Sequence, residues 1–597
     1  MQTSDLPDRP ATPAPAVNAA YSPARSAYHW LDSIWLQLAV SAILGVLFAF
    51  LVLGREPMNP RYIDWLGEDG AHHYIGWELL RQDPHWHWPL MYTDRLGYPV
   101  GESVALVDVN PWLALPGKIF SSLLPEPFQY FGIETAICYA LQFFFALRLL
   151  RLFLGTNLLG IWIGALFFLI APPLTFRLRV HYCLSNHWLL LAALIVFFQA
   201  QQEVPNAVRR FVISALVLTG VAIATNPYIA FQVMAVLAAA VLSLWWKTKL
   251  TLPRAAGLMA AMGFLCVLVS YVLGFIIAGG KGYGGHGYRV YSMNLLAPFN
   301  PDWFGSIIFP AIVPHLEKGQ YEGYAYLGAG VIVLALIVLL YAVRGPGKLK
   351  VDKRWAIPLL LCCVCLTLMA LTTKVQVGGK TLVDVDPQQR FSRFLAPLRA
   401  SGRLFWVPYY TILTALLAAP YLFMRRARAN ALLACLLALQ FVDTVPLRRW
   451  VYAFERTAYP QPLKSPVWRQ LGSVYDTLVV LPAWQCGPRL SPGWVYGYRY
   501  FGFLATDQKM RTNSYYTARY TGKALEYHCK GPAADFTNLT LSQDTAYVVT
   551  PAIAAEIEKS AGGAGKCHNL DEFVLCSPKT DFGLGPLLPT DSAGSRD

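Results

Sequence analysis

Apolar runs recur along the chain from residue 34 to residue 444, broken by short polar stretches. A membrane-crossing helix needs about 20 mainly apolar residues, and fewer when it packs inside a bundle. The pattern predicts eleven spans: 34–54, 133–153, 158–176, 187–202, 211–226, 228–246, 256–278, 325–343, 355–373, 405–424 and 430–444. After Val445 the pattern changes to turn residues and short strand-like runs, as at 477–482, 545–549 and 573–576. About 150 residues is an ordinary domain size, so 445–597 reads as a small α/β or α+β domain. The start is rich in Pro, Ala and Ser and has no basic region before an apolar core. Residues 1–33 therefore read as a disordered tail and not a cleaved signal. The predicted organisation is a tail (1–33), a first span (34–54), a long loop (55–132), a helical bundle (133–444) and a C-terminal domain (445–597).

Composition strengthens the membrane reading. The chain is 55% hydrophobic and 14% charged, with a mean hydropathy of +0.40; soluble domains are about a quarter charged. A net charge of +14 would suggest nucleic acid if it were gathered on one soluble face. Here the basic residues sit in short connections between apolar runs, so no nucleic-acid partner is expected and the lipid bilayer is. Alternate connections carry fifteen basic residues, among them Arg148, Arg209, Lys247, Lys348 and Arg425, against only Glu203 and Asp352. By the positive-inside rule those connections and the N-terminus are cytoplasmic. An odd number of spans then puts the C-terminal domain outside. Its four cysteines, Cys486, Cys529, Cys567 and Cys576, suit one or two disulfides in an oxidising compartment, with three pairings open.

Candidate chemistry gathers on the outward side. Between residues 55 and 110 lie nine acids against four arginines. Gly70 suits a turn, and the spacing after it predicts a short amphipathic helix at the membrane surface, with Ile75, Leu79 and Leu80 on one face. Asp69 would sit at its start, beside Glu68, either as a general base toward a hydroxyl or as a helix cap. His72, His73, His85 and His87 are imidazoles in the same loop, and His73 with Asp108 would serve to orient an acceptor or hold a divalent cation. No metal-ligand set is assigned. The turn between the third and fourth spans holds Arg177, Arg179, His181 and His187; the arginines could snorkel to lipid phosphates, and the histidines face a cavity or the interface. Before the tenth span come Arg390, Arg393, Arg399 and Arg403. Arginine presents a planar fork of donors suited to phosphate oxygens. The glycines of 279–287 match no nucleotide-binding pattern.

Asp69-x-Ala-x-His73-x-x-Gly76-Trp77 with Leu-Leu-Arg81, the His181…His187-Trp188 pair, Glu322-Gly323-Tyr-Ala-Tyr-Leu and Arg399…Arg403-Leu-Phe-Trp are similar to a family of uncharacterised bacterial envelope proteins. The layout of one span, an acidic external loop, a bundle and an exported domain resembles the GT-C class of membrane glycosyltransferases. That resemblance implies a GT-C-like polytopic α-helical fold in a bacterial inner membrane with a periplasmic C-terminal domain. It implies a polyprenyl-phosphate-linked sugar donor, a glycan or lipid acceptor, and catalysis by Asp69 or Glu68 with inversion. His72, His73, Trp77, Asp108, His181, His187, Arg393, Arg399 and Arg403 would then bind substrate. Other readings of the same residues are a transporter or flippase of a lipid-linked glycan, or a non-catalytic envelope scaffold.

Overall fold

The computed structural model describes residues 29–276 (apart from Val180), 288–312, 319–344, 351–386, 398–454, 461–517, 519–531, 541–560, 566–579 and 582. Most of the N-terminal tail, Arg390 and Arg393, and the glycine run 279–287 lie outside these, as do the side chains of Glu68 and Phe454.

The structure is mostly helical. Ten helices among the described residues are long and apolar enough to cross a membrane. The remaining predicted span, 325–343, forms only the shorter helix Ala329–Arg344. It starts late because Gly328 takes a left-handed φ of 88° while the Gln440 side chain presses against it, donating from Nε2 to Leu327 O at 2.9 Å. The last span is longer than the apolar run suggests. Its helices Arg426–Asp443 and Val445–Phe454 follow one another with a break at Thr444. In Leu158–Arg177 a similar break precedes Pro172 and Pro173, where ring geometry allows only the start of a new helix.

Burial sorts the bundle. Leu158–Arg177 and Tyr182–Ala200 are its most enclosed members, whereas Ile34–Leu53 and Leu252–Leu273 expose apolar faces with Ile43, Leu47, Phe264 and Val267. Apolar exposure on that scale fits contact with lipid. The turn joining the two innermost helices, residues 178–187, is therefore held at one end of the bundle axis.

The segment 55–130 packs over that end. Its principal helix, Glu68–Gln82, differs from the predicted surface helix: every described residue from Gly70 to Arg81 is buried. Tyr74 and Ile75 meet the C-terminal region, where Tyr74 stacks on Phe503 at 5.6 Å and Ile75 lies against Gly502, while Trp77 packs on Gly117 within segment 55–130.

That region contains a five-stranded mixed sheet. Thr477–Leu481 lies parallel to Arg511–Thr512 on one side and to Thr545–Val549 on the other. Phe573–Cys576 then pairs antiparallel with both Thr545–Val549 and Cys567–Leu570. The strands at 477, 545 and 573 occupy the runs that the sequence pattern marks. Disulfides join Cys486 to Cys529 and Cys567 to Cys576, the second across paired strands. The sheet region is seated on segment 55–130 by Tyr98 N–H to Thr512 O at 3.1 Å, Gln82 Nε2 to Thr506 O at 2.7 Å and Arg95 Nη1 to Lys509 O at 2.7 Å.

Candidate functional site

At the end of the bundle, side chains from seven stretches of the chain converge. Asp69 is the second residue of its helix, whose N-cap is Gly67, so it is not the cap. Its carboxylate instead faces histidines, with Oδ1 3.7 Å from His72 Nδ1 and Oδ2 3.5 Å from His181 Nε2. The Asp69 side chain keeps 35% of its surface exposed, the most open acid of the group.

Asp108 follows the turn Val104–Val107 with φ at 61°, a left-handed conformation that costs a non-glycine residue free energy. Asn226 fixes it there. The amide Nδ2 donates to Asp108 Oδ1 at 2.9 Å, while Asn226 Oδ1 caps the helix Pro227–Trp246 by accepting from Tyr228 N. The other oxygen, Oδ2, lies 3.9 Å from both His73 Nε2 and His181 Nδ1. His73, Asp108 and His181 each offer a ligand atom, and the three atoms lie within 4.8 Å of one another. Burial lowers His72 to about 4 and His73 well below the ordinary imidazole range, so both rings are neutral at pH 7. Burial likewise raises the Asp108 carboxyl.

Beside this group sits a buried ion cluster that the sequence reading did not assign. Glu322 accepts from Arg403 through Nε and Nη2, both at 2.8 Å, and from Arg177 Nη1. Its Oε1 is also 3.7 Å from His181 Nε2. Burial pushes the Glu322 carboxyl up, yet the two guanidiniums outweigh it and hold the group well below the usual carboxylate range. Two glycines make the meeting possible. A Cβ on Gly402 would fall 2.6 Å from the Gly323 Cα, so only glycine lets the turns Gln320–Gly323 and Ser401–Phe405 approach this closely. The snorkelling role considered for Arg177 does not hold, since its side chain is 1% exposed and paired inward.

The predicted phosphate arginines separate accordingly. Arg403 is committed to Glu322, Arg393 lies outside the described residues, and Arg399 is half-buried. Arg399 hydrogen-bonds the Tyr516 side chain and lies 5.5 Å from the Tyr291 ring. Tyr516 comes from the C-terminal region, and its ring is 5.1 Å from His72. Arg399, Tyr516, His72 and Asp69 thus form one continuous wall.

Two predicted residues stand apart from it. Trp77 is fully buried, packs on Gly117 and donates to Phe128 O at 2.9 Å. His187 is fully buried in the bundle against Trp406, with Nδ1 2.8 Å from the Tyr410 hydroxyl. Neither presents a surface to a substrate. Glu68 contributes backbone to the same helix as Asp69. His85 and His87 belong to a different place from His72 and His73: His87 Nε2 is 2.9 Å from Asp83 Oδ2, and Asp83, His87 and Asp94 form a second group with ligand-like spacing. Sequence reasoning missed Glu322, Asn226 and Tyr516. Only Glu322 carried a signal, an acid followed by glycine within an apolar and aromatic run.

A cleft of about 790 Å³ opens on the other side of helix Glu68–Gln82. Tyr62, Asp64, Tyr74, Glu78, Trp468 and Arg499 are among its lining residues.

A family model described as Domain of unknown function (DUF6311) matches residues 42–445, and one described as DUF6311 C-terminal domain matches residues 467–578. The first match carries Asp69, Asp108, His181, Glu322 and Arg403, and the second carries Tyr516. No curated protein matches the chain.

Proposed function

The chain belongs to the DUF6311 family, whose description assigns no activity, and from the site we propose that it is a membrane glycosyltransferase. It would pass a sugar from a polyprenyl-phosphate donor to an envelope glycan or lipid acceptor on the periplasmic side of a bacterial inner membrane. The observation that carries this reading is the open Asp69 carboxylate on one wall with Arg399 and Tyr516.

In the reaction, Asp69 accepts the proton of an acceptor hydroxyl as that oxygen attacks the anomeric carbon. The bond from the anomeric carbon to the phosphate oxygen breaks, and its electron pair leaves with the polyprenyl phosphate. Arg399 meets the charge on the departing phosphate. Attack opposite the leaving group inverts the anomeric centre. Arg403 and Arg177 act from behind, by fixing Glu322 and through it the His181 ring that faces Asp69. The basic connections between spans support a cytoplasmic N-terminus and an outward-facing site.

The test is to extract lipids from cells expressing wild type or Asp69→Asn at matched levels and to quantify polyprenyl-linked sugars by mass spectrometry. The variant is expected to accumulate one sugar-loaded carrier relative to wild type. If carrier levels match wild type while deletion of the gene changes them, bond making does not depend on Asp69, and transport becomes the better reading.

A further inference from the structure

The His73 and Asp108 side chains, which face His181, share a feature that the transfer step does not explain. His73 is 1% exposed, and among the described residues neither of its ring nitrogens has a hydrogen-bond partner. The buried Asp108 Oδ2 is likewise without one. Polar groups removed from water and left unpaired are costly, and an unsatisfied set in a native protein calls for a partner. These atoms cannot serve one another. The separations of 3.9 Å from Asp108 Oδ2 to His73 Nε2 and to His181 Nδ1 are too long for hydrogen bonds.

We infer that His73, Asp108 and His181 form a binding site for a divalent transition-metal ion of the zinc class. Two imidazoles and a carboxylate are the donor set such an ion prefers, and three protein ligands leave a position for an exchangeable oxygen. Bonds of about 2.0–2.2 Å set neighbouring tetrahedral ligands roughly 3.4 Å apart, so the carboxylate–imidazole separations of 3.9 Å must close by about 0.5 Å and the two imidazole nitrogens, within 4.8 Å of each other, by up to about 1.4 Å. The surroundings also match. A metal-bound histidine usually gives its other ring N–H to a carboxylate, and His181 turns Nε2 toward Asp69 at 3.5 Å and Glu322 at 3.7 Å. Asp108 is oriented in turn by Asn226 through Oδ1, which leaves Oδ2 aimed at the two rings. The group formed by Asp83, His87 and Asp94 lacks this signature, because Asp83 Oδ2 already accepts from Thr93 and contacts His87. The metal site is argued from ligand geometry and stands independently of which group the protein transfers.

Tag-free full-length protein in detergent, stripped with chelator and dialysed against Zn²⁺, should retain one zinc per chain by elemental mass spectrometry. Titration of the stripped wild type with Co²⁺ should give visible absorption bands that Zn²⁺ abolishes. Asp108→Ala and His181→Ala should lose the retained metal, Asp69→Asn should bind about 10–100-fold more weakly, and His87→Ala should bind as wild type does. Wild type that retains neither ion overturns the inference without bearing on the transfer reaction, and so does undiminished binding by folded Asp108→Ala. The cobalt titration uses wild type alone, so it decides the matter even where a variant fails to fold.

Discussion

At the residue scale, the feature that orders the site is Glu322. One carboxylate holds two guanidiniums from separate spans, and all three groups are nearly out of water. Removing one member of such a cluster leaves buried charge without compensation, at a cost of about 3–5 kcal/mol. Glu322→Gln is therefore expected to lower the thermal midpoint of the purified protein in detergent markedly, whereas Glu203→Gln, on an exposed pair with Lys249, should leave it nearly unchanged. Equal melting of the two variants would mean that the cluster does not contribute to the fold. The sequence shows an acid, a glycine and several arginines, but nothing in it says that Glu322 pairs with Arg177, 145 positions away. A pairing across that distance is made by packing. The glycines at 323 and 402 record it only once the two turns are seen in contact.

At the element scale, helix Glu68–Gln82 shows where pattern reading succeeds and where it fails. It begins at Glu68 and runs through Gly70, where the pattern predicts a turn, but its existence and its apolar positions are legible in the spacing. Its burial on every side is not, because the second face is covered by the sheet region some four hundred residues later. Glu102 records the same docking. It is fully buried, accepts from the Tyr515 hydroxyl at 3.0 Å and from Thr521 N at 3.4 Å, and also takes Ser103 N, with Tyr92 nearby. Burial raises its carboxyl from 4.5 to about 7. Below pH 4.5 both the folded and the unfolded forms carry the proton, and stability is full. Between pH 4.5 and 7 the unfolded chain gives the proton up while the folded form keeps it, so stability falls as pH rises. The loss levels off above about pH 7 at about 3 kcal/mol. Buried His72 and His73, neutral in the fold, contribute a rise over the same interval. The Glu102 contribution is therefore read as the difference in thermal stability between wild type and Glu102→Gln, which should shift against wild type as pH rises from 4.5 to 7. A difference that does not change with pH would contradict the buried placement.

At the scale of the whole molecule, the C-terminal region does more than follow the bundle: Tyr516 completes the wall that Asp69, His72 and Arg399 begin. The helical character, nearly all the spans and three strands of the sheet were legible, because apolar run length and alternation are local properties. The ion cluster and the tyrosine from the sheet region were not, since each depends on contacts between distant segments. The central claim is that Asp69 makes a glycosidic bond at this junction. Its most direct measurement is mass spectrometry of envelope glycans and lipids from cells carrying the wild-type gene, a deletion, or Asp69→Asn at equal expression. The Asn variant is expected to lack the same sugar as the deletion, and that sugar identifies the donor. Envelope glycans altered by the deletion but unchanged by Asp69→Asn would contradict it.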